Sequence, residues 1–250
     1  PNPGVEYIQW PESYPIDCEA FMKDNSGKYV KYLWDPNSYI NIMVYNFTTE
    51  PNSNSVTLGI SHIPFSTTGK HYLEGLGETD YSHLTLANLQ FPLSVSINSL
   101  YINEESTPTE YSTADIAVTL AHELGHYLGL HHVFAETDNG TCEDTDYCKD
   151  TKSYNKQEYD SKCDYIYENE REKYTFKNLV KRTGCDGIEF ISYNIMDYAI
   201  SYSNQFTQNQ RERIRHVLSY SPLIPGPKKG DIDTRALNEG PLDLPIRTIK

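Results

Sequence analysis

The stretch AHELGHYLGLHH, residues 121–132, holds histidines at spacings that suit a single metal ion. His122 and His126 lie four residues apart, so a helix would place both imidazoles on one face, about one turn apart. Gly129 can adopt a positive φ, which lets the chain turn and bring His132 back towards the pair. Three imidazoles leave one coordination position open, as in catalytic zinc sites. The stretch therefore predicts a zinc centre on a helix.

Two neighbouring residues refine this prediction. Glu123 follows the first histidine directly, where its carboxylate can approach a water held at the metal without being a ligand itself. Zinc lowers the pKa of such a water towards neutrality, so Glu123 is the predicted general base. His131 could compete with His132 as the third ligand, and the spacing favours His132.

The helix that carries the histidines is expected to start near Ser112. Ser112 and Asp115 stand at the spacing of a capping box, and Gly129 is a natural stop. Residues between them repeat an apolar side chain every three or four positions, which indicates one buried stripe. The stripe consists of Ala114, Ala117, Val118, Ala121, Leu124 and Leu128.

Strands are expected before the helix, at 39–47, 56–63 and 93–102, because these runs are rich in β-branched and aromatic residues. In the first run Ile40, Ile42 and Val44 should share one face, with Asn41 on the other.

After the helix, residues 136–190 read as irregular, acidic and cysteine-bearing. A second helix is predicted from Gln208 to Leu218, opened by a capping box of Thr207 and Gln210. The expected architecture is α+β: one domain over 1–221, with an N-terminal subdomain over about 1–130 and a smaller irregular C-terminal subdomain over 131–221. Residues 222–250 read as a linker and a surface tail.

Composition narrows the class of protein. The 250 residues carry 21 Lys and Arg against 35 Asp and Glu, a net charge of −14, which disfavours binding to nucleic acid. No apolar run approaches the roughly 20 residues that span a bilayer. Four of the five cysteines fall between 142 and 185, which suggests a local disulfide in an oxidising compartment. Reduced, buried thiols are the alternative.

These motifs resemble the metzincin metallopeptidases, a class of zincin in which a methionine turn lies beneath the metal. The stretch Asn194-Ile195-Met196-Asp197-Tyr198 matches that turn. The resemblance implies that Met196 forms an apolar floor under the zinc and that Tyr198 assists the oxyanion. It also implies an N-terminal twisted sheet with an active-site helix.

Within that class the chain is most similar to the pappalysin-like family, peptidase family M43. The similarity covers roughly residues 112–220. Beyond the zinc motif and the methionine turn, it rests on the loop DTDYCKDT at 144–151 and on Gln205-Phe206-Thr207 followed by Gln210.

Two positions depart from the family pattern. Ser203 stands where many members have a cysteine, so the resemblance supports only that Cys185 pairs with Cys142 or Cys148. Tyr202 stands where some members carry an acidic residue in the pocket for the residue after the scissile bond. A strict preference for a basic residue in that S1′ pocket is therefore not expected.

The loop near Cys148 offers clustered carboxylates, which are hard ligands suited to structural calcium. The alternative is a solvated charged loop. The acidic residues are Glu143, Asp144, Asp146 and Asp150.

The resulting hypothesis is a secreted or cell-envelope-exposed zinc endopeptidase, expected to be a monomer, that cleaves extended protein or peptide substrates. The substrate is expected to pair with an edge strand formed by 56–63. A catalytically silent binding module and a catalytic subunit of a larger secreted complex are the alternatives. The intact Glu123 disfavours the silent module, because zinc binding alone does not need that carboxylate.

Overall fold

A computed structural model describes residues 4–49, 56–137, 140–198 and 200–229, and the backbone of 246–249. The fold is mixed α+β, as predicted. The helices are α1 (Cys18–Lys23), α2 (Ile116–Tyr127), α3 (Lys156–Asn169), α4 (Phe176–Leu179) and α5 (Gln208–Tyr220). The strands are β1 (Ile42–Tyr45), β2 (Gly59–His62), β3 (Phe65–Thr67), β4 (Gly77–Thr79), β5 (Val95–Asn98), β6 (Lys181–Thr183), β7 (Glu189–Ile191) and β8 (Ile246–Ile249).

The main sheet has four strands in the order β1-β5-β2-β8. Strands β1 and β5 are parallel, whereas β2 runs antiparallel to both of its neighbours. A parallel pair, β3 with β4, and an antiparallel hairpin, β6 with β7, form two smaller sheets. The three predicted strand regions are confirmed, each with a shorter extent.

Strand β1 differs from the prediction in the face it buries. Ile42 and Val44 are exposed, whereas Tyr45 is buried and Met43 packs against the core. Asn41 is also buried, and its side chain bonds the backbone of Trp34 at both the amide and the carbonyl. Apolar residues occupy both faces of this strand, so alternation alone could not decide which face is inward.

Helix α2 begins later than expected. Its N-cap is Asp115, whose carboxylate accepts hydrogen bonds from the backbone N–H groups of Ala117 and Val118. Ser112 is not the cap; its hydroxyl instead accepts a hydrogen bond from the Ala114 amide. The helix ends at Tyr127, and Gly129 follows with φ +90°. That backbone conformation strains any L-residue with a side chain, so the predicted glycine stop is confirmed.

Helix α5 closes the fold against this turn. The predicted capping box of Thr207 and Gln210 is present, and the helix continues to Tyr220. Arg213 is buried in α5 and donates hydrogen bonds to the carbonyls of Gly129 (2.7 Å) and Glu74 (2.6 Å). The guanidinium therefore fixes the end of the histidine-bearing helix relative to α5.

The segment 136–190 is less irregular than expected. It contains the 14-residue helix α3, the short helix α4 and the hairpin of β6 and β7. Only Tyr159 and Ile166 of α3 are buried. Such a narrow apolar stripe gives a weak helical pattern, and the N-cap Asn155, which bonds the Glu158 amide, is the local signal that was missed.

One disulfide joins Cys142 to Cys185, which confirms one of the two pairings expected for Cys185. The other three cysteines are free thiols: Cys18 and Cys148 are buried, and Cys163 is half-buried.

We expect iodoacetamide at pH 8 to alkylate Cys163 first in the folded protein. The thiolate is the reactive form, and burial raises the pKa of all three thiols, to about 12 for Cys18 and Cys148. Mass spectrometry of digested protein should find label at Cys18 and Cys148 only after unfolding. A Cys163→Ser variant should remain unlabelled when folded; rapid labelling of native Cys148 would contradict the burial.

The tail adds a strand that the sequence did not indicate. Residues 246–249 form β8 and pair with β2, which therefore lies between β5 and β8; the expectation that the 56–63 run forms an edge strand is wrong. Residues 230–245 lie outside the described part of the chain. The division into subdomains at 130 stays a prediction. None of the described helices is long and apolar enough to cross a bilayer.

Candidate active site and metal centre

Three imidazoles converge at the C-terminal half of α2 and the turn that follows it. The Nε2 atoms of His122, His126 and His132 lie 3.0, 3.1 and 3.2 Å apart. All three side chains are essentially fully buried. Within the described chain they form the one group of three or more potential metal ligands. His131 lies apart from them, with its Nε2 bonded to the Gly75 carbonyl at 2.9 Å.

Each converging ring is held through its other nitrogen. The Nδ1 atoms bond the carbonyl of Ile195 (2.7 Å), the carbonyl of Leu130 (2.8 Å) and the carboxylate of Glu136 (2.8 Å), for His122, His126 and His132 respectively. Since these partners accept hydrogen bonds, each Nδ1 carries the proton. Each Nε2 therefore presents a lone pair to the common centre.

The donor set fits zinc. Burial lowers the pKa of His122 to about 4 and also lowers that of His126, so both rings are in the neutral, ligating form. Three lone pairs at about 3 Å repel one another unless a cation lies between them. Tetrahedral zinc, with Zn–N bonds of about 2.0–2.1 Å, separates its nitrogens by about 3.3 Å, close to the spacing here.

Glu123 lies on the sheet side of this cluster. Its side chain is fully buried and packs directly against the backbone of Gly59 in β2. A Cβ placed on Gly59 would be 2.6 Å from the Glu123 Cγ and 2.8 Å from its Oε1. The glycine is therefore needed for the strand to approach the carboxylate this closely.

Replacing Gly59 with alanine is expected to push Glu123 out of position. Because Glu123 is the predicted general base and small displacements of such a group are costly, we expect Gly59→Ala to lower kcat/KM for peptide cleavage by about tenfold. Zinc content should stay at that of the wild type. The matched control is Gly77→Ala, where the new Cβ would meet Phe65 at an ordinary 3.6 Å. Equal kcat/KM in both variants would contradict the close contact.

Met196 and Tyr198 lie beside the histidines. Met196 is fully buried, its sulfur packs on Gly125 of α2, and its carbonyl accepts a hydrogen bond from the Val133 amide at 3.2 Å. The Tyr198 ring lies 4.7 Å from the His132 ring and 5.9 Å from the His122 ring, measured between centroids. The structure thus brings both predicted residues next to the cluster.

Asp197, between these two residues, is anchored by a buried ion pair. Its Oδ2 lies 3.3 Å from an Nη of Arg182, and both side chains are fully buried. Tyr154 donates a hydrogen bond of 2.5 Å to its other oxygen, and Ser192 donates a short one to Oδ2. Arg182 also donates to the Ile200 carbonyl at 2.9 Å. The methionine turn is therefore tied to β6 from inside the protein.

Tyr202 lies in an exposed aromatic cluster just after this turn. Its ring stacks on Tyr193 (centroids 4.9 Å apart, 12° between planes) and meets Phe176 edge-on at 5.0 Å. Phe176 in turn contacts Tyr111 at 4.6 Å. The surroundings of Tyr202 are thus aromatic.

Asp144 and Asp146 interact with each other, but the four acidic loop residues, all within the described chain, do not form a group of potential metal ligands. Asp146 is buried, and its Oδ1 accepts hydrogen bonds from the Cys148 amide and the Thr151 hydroxyl. Asp144 accepts from the Asp146 amide, while Asp150 accepts from the Asn209 amide. These bonds hold the loop on the body of the protein. Calcium binding at Glu143, Asp144, Asp146 and Asp150 stays a prediction.

Sequence reasoning missed three residues of this region. Glu136 stands four residues after His132, a spacing that could have suggested a partner for its Nδ1. Gly59 and Arg182 carry no local signal, because their contacts with Glu123 and Asp197 join distant parts of the chain.

A mixed α+β fold with a histidine triad, a glutamate beside the first histidine and a methionine beneath them defines a metallopeptidase. The sequence model of peptidase family M43, described as pregnancy-associated plasma protein-A, matches residues 24–219. The chain therefore belongs to this family of metallopeptidases, as its motifs predicted.

Curated relatives are similar over a shorter stretch. The chain is 37% identical over 97 residues to an extracellular metalloprotease of Arthroderma benhamiae, and 38% identical over 97 residues to one of Arthroderma otae. Each match covers 38% of this chain and 29% of the relative, so the similarity spans less than a third of those proteins. Mature mirolysin of Tannerella forsythia, solved in complex with a cleaved peptide, aligns with 81% of this chain and 60% of its own, with 20% identity and a TM-score of 0.47.

Proposed function

We propose that this chain is a zinc-dependent endopeptidase whose substrates are extended protein segments. The convergence of three buried Nε2 atoms, each fixed by an Nδ1 hydrogen bond, beside the buried Glu123 is the observation that carries the proposal. Zinc binding alone would not require that glutamate.

His122, His126 and His132 would hold the metal. When bound there, zinc would supply Lewis-acid chemistry, polarising the scissile carbonyl and making water a nucleophile near neutral pH. The carbonyls of Ile195 and Leu130 keep two of the rings in the ligating tautomer. Glu136 does the same for His132 and makes its ring a stronger donor.

Glu123 would move the proton. As general base it accepts a proton from the attacking water, and it then donates that proton to the leaving amine. Tyr198 would offer its phenol as a neutral donor to the negative charge that develops on the carbonyl oxygen. Met196 would support the metal site from below as a close-packed apolar floor, in contact with Gly125.

The substrate would lie extended along β2 in the place that β8 occupies, with main-chain hydrogen bonds to that strand. Its scissile bond would then lie near Glu123, since Gly59 of β2 touches that side chain. Tyr202 and its aromatic neighbours would line the pocket for the residue after the scissile bond. Because these side chains are uncharged and aromatic, we infer a preference for apolar rather than basic residues there.

We infer that the enzyme acts outside the cytosol; its expected monomeric state stays a prediction. The disulfide between Cys142 and Cys185 is typical of oxidising compartments. The curated relatives described above carry the name extracellular metalloprotease. Both observations favour secretion or exposure at the cell envelope.

Metal removal tests the proposal. We expect the zinc-loaded chain to generate new termini in a complex peptide mixture, identified by mass spectrometry. Chelation should abolish them, because water without the metal is a poor nucleophile. Adding back one equivalent of zinc should restore them.

Two outcomes would contradict this function. A chain that binds one zinc per molecule but yields no new termini would favour a silent binding module. Termini that persist in the chelated chain would show that a different chemistry, or a contaminating peptidase, is responsible. The same termini also report the residue preferred in the pocket near Tyr202.

A further inference from the structure

The last strand of the chain lies where a substrate strand is expected. Strand β8 (Ile246–Ile249) pairs antiparallel with β2, in the register Gly59 with Ile249 and Ser61 with Arg247. Its Cα atoms also come within 8 Å of Cα atoms in α2, the helix of the candidate site. The free edge of β2 is thus covered by the chain itself.

The hydrogen bonds between β2 and β5 show which backbone groups of β2 must face β8 on its other side. The carbonyl of Leu58 accepts a hydrogen bond from the Asn98 amide, and the His62 amide donates to the Ser94 carbonyl, so both residues face β5. Successive residues of a strand present their N–H and C=O groups to alternate edges. Gly59 and Ser61 therefore present theirs to β8.

This pairing reaches the candidate catalytic glutamate. Residues directly opposite each other in a hydrogen-bonded antiparallel pair have Cα atoms about 5.5 Å apart, which places Ile249 beside Gly59. Gly59 in turn contacts the Glu123 side chain. The strand thus ends next to the group proposed to activate water.

We propose that residues 246–249 are a tethered occupant of the substrate cleft, which competes with substrate for the edge of β2. This inference rests on the proposed function. An extended segment gains its affinity from main-chain hydrogen bonds when it adds to a sheet edge, so one edge cannot serve two strands at once. Attachment to the same chain raises the effective concentration of the segment to the millimolar range.

Proline substitutions in β8 distinguish the loss of hydrogen bonds to β2 from the mere presence of a proline in the strand. Arg247 lies opposite Ser61, and Ile249 lies opposite Gly59. Arg247→Pro and Ile249→Pro therefore each remove a backbone N–H that would donate a hydrogen bond to a carbonyl of β2. Thr248 turns its N–H away from β2, and an outer strand tolerates proline at such a position. Thr248→Pro is therefore the matched control.

The first measurement is hydrogen exchange at individual amides in the chain of residues 1–250. We expect the Gly59 and Ser61 amides to exchange about tenfold faster in Ile249→Pro than in the wild type, because one lost hydrogen bond changes an equilibrium by about this factor. Thr248→Pro should match the wild type. The His62 amide, which faces β5, should be unchanged in every variant.

The second measurement is the affinity for a fluorescent peptide with the sequence of residues 244–250, LPIRTIK, in a Glu123→Ala background that prevents turnover. We expect Ile249→Pro and Arg247→Pro to bind it about tenfold more tightly than the parent chain or Thr248→Pro. Equal exchange of Gly59 and Ser61 in all chains would overturn the proposal. Equal peptide affinity in all chains would also overturn it, since β8 would then not compete with the peptide for the edge of β2. Neither readout depends on catalysis, so an inactive enzyme would refute the proposed function and leave this test intact.

Discussion

Replacing Glu123 with alanine should lower kcat for peptide cleavage by at least about a thousandfold, while the protein keeps its fold and its zinc. General acid–base groups contribute about 10²–10⁴-fold, and this carboxylate is proposed both to accept and to donate the transferred proton. Alanine favours the helix in which the residue lies, so α2 should persist. The three imidazoles are held by Ile195, Leu130 and Glu136, none of which the substitution changes.

The measurement needs three readings on the same preparation. Steady-state kinetics gives kcat and KM, metal analysis gives zinc per chain, and thermal unfolding reports the fold. Glu123→Asp is a useful companion, because it keeps the carboxylate but withdraws it by one methylene. We expect its kcat to fall between those of the wild type and Glu123→Ala. Near-normal turnover in a zinc-loaded Glu123→Ala chain would rule out this residue as the base.

The predictable parts of the site are those that depend on residues close together in the sequence. The residue spacings within 121–132 predict that His122 and His126 share one helix face and that the chain turns at Gly129. Both features depend on local backbone geometry. The start of α5 was equally readable, since Thr207 and Gln210 cap each other across three residues. The methionine turn followed from resemblance rather than from any physical pattern.

The parts that were missed depend on contacts between distant segments. Gly59 matters only because β2 lies against Glu123, 64 positions further along the chain, and no local pattern reports such an approach. Strand β8 is stabilised by pairing with β2 and lies at the end of a stretch that reads as a tail. The sequence therefore predicted the convergence of the three histidines well and the surroundings of β2 poorly.

Replacing Arg182 with methionine should lower the free energy of unfolding by about 3–5 kcal/mol. The guanidinium is fully buried against Asp197, so its removal leaves a buried carboxylate without its cation. The variant also loses hydrogen bonds to the carbonyls of Leu179 (2.6 Å) and Ile200 (2.9 Å). Arg182 further stacks on Tyr159, with its guanidinium carbon 3.7 Å from the ring centroid.

Urea unfolding of zinc-loaded protein measures this decrease in the free energy of unfolding. Two further variants serve as controls. Lys181→Met, at the partly exposed neighbouring position, should change stability by less than about 0.5 kcal/mol. Arg182→Met combined with Asp197→Asn should be less destabilised than the sum of the two single variants, because no unpaired charge remains buried. A loss below about 1 kcal/mol in Arg182→Met would mean that Tyr154 and Ser192 suffice to hold Asp197. Strictly additive losses in the double variant would mean that Arg182 and Asp197 do not stabilise each other. Asp197 lies between Met196 and Tyr198, so the ion pair would then not be what fixes the turn beneath the histidines.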